Sequence, residues 1–132
     1  MADPAAHTIL PERVSKEPLG PMDCRGDEPC AVVAKYVLLA LIAAEELGVT
    51  PPNLDAMKRG TDPDIRRLLG VELGLGKALG LDGDGPSGRC GWRGVMGESF
   101  ERNLGKGSPI GLERGLNDLW TRGGLIYALP LR

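Results

Sequence analysis

The strongest pattern in this sequence is an apolar run from Ala31 to Ala44 that only Lys35 interrupts. Asp27 stands where a side chain can cap the first turn of a helix, and Gly48 stands where a left-handed residue ends one. The pattern predicts a helix over residues 28–47. The apolar run itself has 14 residues, fewer than the about 20 that a membrane span needs, so we expect a buried helix. Because nearly every face is apolar, other residues must cover it.

Shorter helices are predicted on both sides of a glycine-rich stretch. Proline, glycine and capping residues mark where these helices begin and end. Before the glycine-rich stretch they are predicted at Leu54–Arg59 with Asn53 as cap, at Pro63–Leu69 with Asp62 as cap, and around Leu73–Leu79. After it they are predicted at Glu98–Leu104 and from Ser108-Pro109 to Arg122, the last with Leu112, Leu116, Leu119 and Trp120 on one face. Residues 1–26 are expected to be extended, with strand-like content only at His7–Leu10. The prediction is therefore a mainly α chain with five or six helices and one or two short strands.

Composition and charge exclude several classes of function. Lys and Arg total 16 against 18 Asp and Glu, a formal net charge of −2, without the basic stripe expected of a nucleic-acid-binding protein. Three cysteines and one histidine form no metal-ligand spacing and no catalytic triad. We assign no catalytic, ligand-binding or metal-binding residue, expect no cofactor, and expect that the chain is not an enzyme. The first residues lack the pattern of a secretory signal peptide, so this chain is expected to remain cytoplasmic.

Weaker motifs have simpler interpretations. Asp82-Gly-Asp-Gly lacks the twelfth-position glutamate of a calcium loop, and Gly76-Lys77 lacks the spacing of a phosphate-binding loop. Lys58, Arg59, Arg66 and Arg67 are interleaved with aspartates, as on a solvated face with ion pairs.

Several separate segments resemble one protein family. They are Pro11–Pro21, Arg25–Asp27, Ala40–Gly48, Asn53, Asp62–Gly70, Gly76–Leu81, Gly97–Asn103, Gly115–Trp120, Gly123–Tyr127 and Pro130–Arg132. In this order they are similar to the C-terminal third of the periplasmic substrate-binding protein of general L-amino-acid ABC transporters, a type II solute-binding protein. The resemblance extends over about nine-tenths of the chain.

The resemblance implies part of an α/β fold with two lobes that holds an amino acid between them and delivers it to an ABC permease in the membrane. Residues 1–26 are similar to the end of lobe 2 and the hinge crossing, and residues 27–132 to the helical C-terminal part of lobe 1. Most ligand-holding residues of the family have no counterpart here, so the chain alone is expected not to bind an amino acid. The family is periplasmic. The alternative is a free-standing helical module that interacts with a partner, or self-associates, through helix 28–47.

Residues 83–97 depart from the family. After the aspartate that matches Asp84 the family typically has Trp-Ala-(Tyr or Phe)-Arg, whereas this chain has Gly85-Pro-Ser-Gly88. The codons TGG GCC TTC CGG give that sequence when the first T is lost, so residues 85–96 have the pattern of an out-of-frame passage. Since ordering glycine-rich chain is entropically costly, we expect residues 83–97 to be mobile.

Overall fold

The computed structural model describes residues 3, 6–12, 14, 15, 17, 19–72, 77 and 94–130. These residues form four α-helices: α1 (Glu28–Glu46), α2 (Leu54–Lys58), α3 (Pro63–Leu68) and α4 (Met96–Asn103). A short 3-10 helix at Pro51–Asn53 connects α1 to α2, and two more, at Gly115–Asn117 and Trp120–Arg122, follow α4. The described part contains no β-strand and a single β-bridge, between Leu119 and Ile126. The mainly α prediction thus holds there, whereas the count of five or six helices is not confirmed.

Helix α1 begins and ends where its capping residues predict. The Asp27 carboxylate accepts the backbone N–H of Cys30 at 3.1 Å, which satisfies a donor that the first turn leaves free. At the other end Gly48 adopts a φ of +66° and donates to the carbonyl of Glu45. None of the helices formed by the described residues is long and apolar enough to cross a membrane.

Helix α3 also follows its sequence signals, and α2 does so only in part. Asp62 caps α3 by accepting from Asp64 and Ile65, and Gly70 follows with a φ of +70°. Asn53 occupies the N-cap position of α2, as predicted, but its side chain accepts no hydrogen bond from that helix. Its side chain turns backwards, accepting from the Thr50 N–H at 2.8 Å and donating to the Gly48 carbonyl at 2.9 Å. Asn53 therefore secures the connection between α1 and α2.

The predicted helix from Ser108 to Arg122 is wrong. Two glycines along it, Gly111 and Gly115, adopt φ of +65° and +52°, and left-handed residues cannot continue a right-handed helix. The segment instead forms two 3-10 turns. The strand-like content predicted at His7–Leu10 forms no strand. The predicted helix around Leu73–Leu79 lies outside the described residues except for Lys77, as do residues 83–93 of the stretch expected to be mobile.

The apolar core lies against the second half of α1. Its buried members are Ala40, Ala43, Ala44, Val49, Leu68, Leu69 and Val95, which come from α1, the residues after it, α3 and the residue before α4. Along the first half of α1 no described residue is buried, and Val32 and Val37 are 43 % and 49 % exposed. The apolar pattern predicts that other residues pack over the whole helix, but among the described residues such packing buries side chains only in its second half.

Candidate functional site

The most organised polar feature among the described residues is a group of four charged side chains at the C-terminal end of α1. It consists of Glu45 on the last turn of α1, and Arg114, Asp118 and Arg122 in the segment that follows α4. We call these four residues the ion-pair network. Glu45 and Arg114 are 69 positions apart in the sequence, so only the tertiary fold brings them together.

The network centres on a doubly bonded pair. Both terminal nitrogens of Arg114 donate to the Glu45 carboxylate, one to Oε1 and the other to Oε2 at 3.3 Å. The two side chains are only 8 % and 6 % exposed. Arg114 also lies 3.1 Å from an Asp118 oxygen, and the more exposed Arg122 lies 3.3 Å from oxygens of both Glu45 and Asp118. Two carboxylates and two guanidinium groups therefore neutralise one another.

Neighbouring residues satisfy the rest of the Arg114 side chain. Its Nε and one terminal nitrogen donate to the Asn117 carbonyl at 3.2 and 2.9 Å. The guanidinium carbon lies 5.8 Å from the centre of the Phe100 ring on α4, within the range of a cation–π contact. Gly97 gives the pair its space, because a Cβ there would lie 2.6 Å from Glu45 Oε1. The ion-pair network thus joins α1, α4 and the following segment.

Charge balance decides what this network can do. Every charged group in it has an opposite charge within 3.3 Å, so it offers no uncompensated charge to a ligand. Burial of such a pair costs desolvation energy that good hydrogen bonding must offset. No group of three metal-ligating side chains is found in the part of the chain that the structure describes. The arrangement is that of a structural connection.

Two other surfaces are notable among the described residues. An open groove of about 700 Å³ has the ion-pair network on one side and Glu98, Glu101 and Arg102 of α4 among its lining. The second surface is the uncovered first half of α1. Of the four basic residues predicted to form a solvated face with ion pairs, Arg66 pairs with Glu72 and Arg67 with Asp64, and Arg59 and Arg67 are exposed.

Sequence reasoning did not find the ion-pair network. The available signal was Glu45 at the end of an apolar run on a helix that must be covered, because a buried carboxylate needs a cation. Which cation it would pair with could not be determined, since the chain has 16 Lys and Arg residues.

The exposed cysteines Cys24 and Cys30 form no disulfide.

Comparison with known proteins gives consistent results. No protein-family profile matches the chain. Over its full length it is 46 % identical to the general L-amino acid-binding periplasmic protein AapJ of Rhizobium johnstonii, and 41 % identical to the putative amino-acid ABC transporter-binding protein YhdW of Escherichia coli K12. Over 94 % of its length it is 49 % identical to the glutamate/glutamine/aspartate/asparagine-binding protein BztA of Rhodobacter capsulatus.

The fold agrees with these relatives. All of the chain superposes on a periplasmic binding protein of an ABC transporter from Brucella ovis, solved with glutathione bound, with a TM-score of 0.84 and 45 % identity. The match takes up 42 % of that structure. The chain spans 37–39 % of the length of the three curated relatives.

Proposed function

Because the chain is a partial-length homologue of the amino-acid-binding periplasmic proteins of ABC transporters, we propose that it forms part of a receptor that captures an L-amino acid and delivers it to an ABC permease. The observation that carries this proposal is 41–49 % identity over 94 % or more of the chain. Such a receptor works by reversible binding and performs no catalysis. It would act in the periplasm, as the name of the relative AapJ indicates.

We further propose that this chain alone does not bind an amino acid. A free amino acid carries a carboxylate and an ammonium group, and a protein that binds it must offer charges that are not already paired. The buried charges among the described residues, Glu45 and Arg114, are paired with each other. More than 60 % of the length of each curated relative has no counterpart in this chain.

A graft into BztA tests both proposals. The segment of BztA that aligns with this chain is replaced by the chain, and glutamate binding is measured by isothermal titration calorimetry beside intact BztA and the isolated chain. We expect saturable binding by the chimera and none by the isolated chain. A chimera that melts cooperatively yet does not bind glutamate would contradict the receptor proposal. Saturable 1:1 binding by the isolated chain would contradict only the second one.

A second candidate is an interaction role for helix α1, including self-association. It is favoured by the exposure of Val32 and Val37 on a helix half that no described residue covers. Burying apolar surface of this kind drives association. Sedimentation velocity over a concentration series should show dimers or larger species that the double variant Val32→Glu/Val37→Glu abolishes. Leu10→Glu, at an exposed position outside α1, is the matched control. A concentration-independent monomer would exclude self-association.

We also propose that residues 85–96 are an out-of-frame passage. The support is the sequence: the loss of one base from codons for Trp-Ala-Phe-Arg yields Gly85-Pro-Ser-Gly88. Resequencing the gene tests this. A one-base correction that restores the tryptophan-containing sequence after Asp84 would support it, and codons for Gly85–Gly88 that no one-base change converts into that sequence would reject it.

A further inference from the structure

The segment after α4 contains a loop that is held together by its own hydrogen bonds. Within residues 114–126, which we call the C-terminal loop, the N–H of Trp120 donates to the Ile126 carbonyl at 2.8 Å. The N–H of Gly124 donates to the Leu119 carbonyl at 3.0 Å, and the N–H of Leu125 donates to the Leu116 carbonyl at 2.9 Å. A Cβ on Gly124 would lie 1.8 Å from the Asp118 carbonyl oxygen, so the turn depends on glycine. None of these bonds involves α1.

The bonds between the C-terminal loop and α1 are of a different kind. Glu45 accepts from Arg114 and Arg122, and the adjacent Glu46 accepts the Trp120 indole N–H at 2.7 Å. Half of the non-glycine side chains of the loop are exposed, and the two buried ones are those of Arg114 and Leu119. Leu119 does not belong to the apolar core cluster. Two neighbouring carboxylates therefore supply the side-chain hydrogen bonds that join the loop to α1.

We propose that the C-terminal loop is a preformed unit that Glu45 and Glu46 latch onto α1, and that it detaches intact when the charge of Glu45 is removed. Proteins open locally in cooperative units whose stability is lower than that of the whole fold. The internal bonds of the loop do not depend on Glu45, whereas its attachment does. Without the Glu45 charge, Arg114 and Arg122 share Asp118 as the one carboxylate left in the network. The excess positive charge is costly to bury, which favours the detached state, in which water solvates Arg114.

Detachment would change the surface beside α1. Arg114, Asp118 and Arg122 line the same groove as Val49 and Val95, both of which are buried in the latched state. Release of the loop would remove these three charged side chains from the lining of the groove. The latch is thus a conformational device that goes beyond the amino-acid receptor role and does not depend on it.

Nuclear magnetic resonance of the full chain tests the latch, because one tryptophan reports both kinds of bond. In the variant Glu45→Gln, we expect hydrogen exchange of the Trp120 indole N–H to become at least tenfold faster. Exchange of the backbone amides of Trp120, Gly124 and Leu125 should stay within about twofold of the unmodified protein. The variant Trp92→Phe assigns the indole signal. Glu113→Gln, which makes the same chemical change at an exposed pair with Lys106, should alter neither kind of signal.

Two results would overturn the proposal. If the backbone amides lose protection together with the indole while Leu47 and Val49 keep theirs, the loop unfolds and is not a preformed unit. If the indole does not respond, Glu45 does not hold the loop. If the backbone amide of Leu47 also loses protection in Glu45→Gln, the whole chain has unfolded in that variant. The same exchange measurement is then made on Arg122→Ala. Arg122 is 54 % exposed, and its removal should accelerate indole exchange alone; any other outcome rejects the latch.

Discussion

Gly97 offers a sharp test of the packing around the buried ion pair. Replacing glycine by alanine in a helix normally stabilises a protein, by up to about 1 kcal/mol. At this position a Cβ would lie 2.6 Å from Glu45 Oε1 and 2.8 Å from Arg114 Nη1. Ordinary contact begins near 3.4 Å, so the Glu45 oxygen must move by about 0.8 Å, from 2.6 to 3.4 Å. The two side chains are buried and bonded to each other, so neither moves freely.

The expected magnitude follows from these opposing terms. Overpacking of a well-filled interior costs about 1–3 kcal/mol, and complete separation of a buried pair costs about 3–5 kcal/mol. Against these stands the helix gain of at most about 1 kcal/mol. We therefore expect Gly97→Ala to lower the free energy of unfolding by up to about 3 kcal/mol. The sign is opposite to that expected from helix propensity.

Urea denaturation followed by circular dichroism at 222 nm measures this change. Gly20→Ala is the matched control, because nothing lies within 4 Å of the position a Cβ would take there; it should be neutral or slightly stabilising. The cause is tested by repeating Gly97→Ala in a Glu45→Ala background, where the cost should shrink by more than 0.5 kcal/mol if the two sites are coupled. Stabilisation by Gly97→Ala alone would refute the reasoning.

Three further predictions concern stability and titration. Asp62→Ala removes the cap of α3 and should cost about 1 kcal/mol by urea denaturation; an unchanged midpoint would contradict the role of the cap. Leu68→Ala, at a position only 1 % exposed, should cost about 2–5 kcal/mol, whereas Leu10→Ala at a 69 % exposed position should cost less than about 0.5 kcal/mol. The hydrogen bond with Glu113 raises the pKa of Lys106. A lysine whose pKa is higher in the folded state stabilises the fold fully at pH values below its unfolded-state pKa. This stabilisation is lost as the pH rises through the folded-state pKa. An NMR titration should find the Lys106 pKa lowered in Glu113→Gln, and an unchanged value would contradict the pairing.

Local sequence signals identified the helix caps correctly where a side chain bonds to the first turn of its own helix. Asp27 and Asp62 bond to N–H groups two or three residues ahead, so their role could be predicted from position alone. Asn53 has the same capping chemistry, yet its side chain bonds to Thr50 and Gly48. The choice between these partners depends on how α1 ends and α2 begins, which is a property of the fold.

The segment from Ser108 to Arg122 shows why periodicity can mislead. Its leucines recur at helical spacing, but Gly111 and Gly115 take up left-handed conformations, and Leu119 pairs with Ile126 in a bridge. The recurring leucines indicated an amphipathic helix, whereas the glycines allow the backbone to turn out of a helical path. In the path that the segment takes, Arg114 contacts Glu45 on α1, a contact that periodicity does not reveal.

The family resemblance and the ends of α1 and α3 were determined by the sequence alone, because a cap or a stop residue acts within one helical turn. The relatives at 41–49 % identity agree with that resemblance. Only the tertiary structure decided which carboxylate is buried, which arginine neutralises it and which half of α1 is covered. These depend on the meeting of groups 69 residues apart, and the strength of a charge pair depends on the burial that the fold creates.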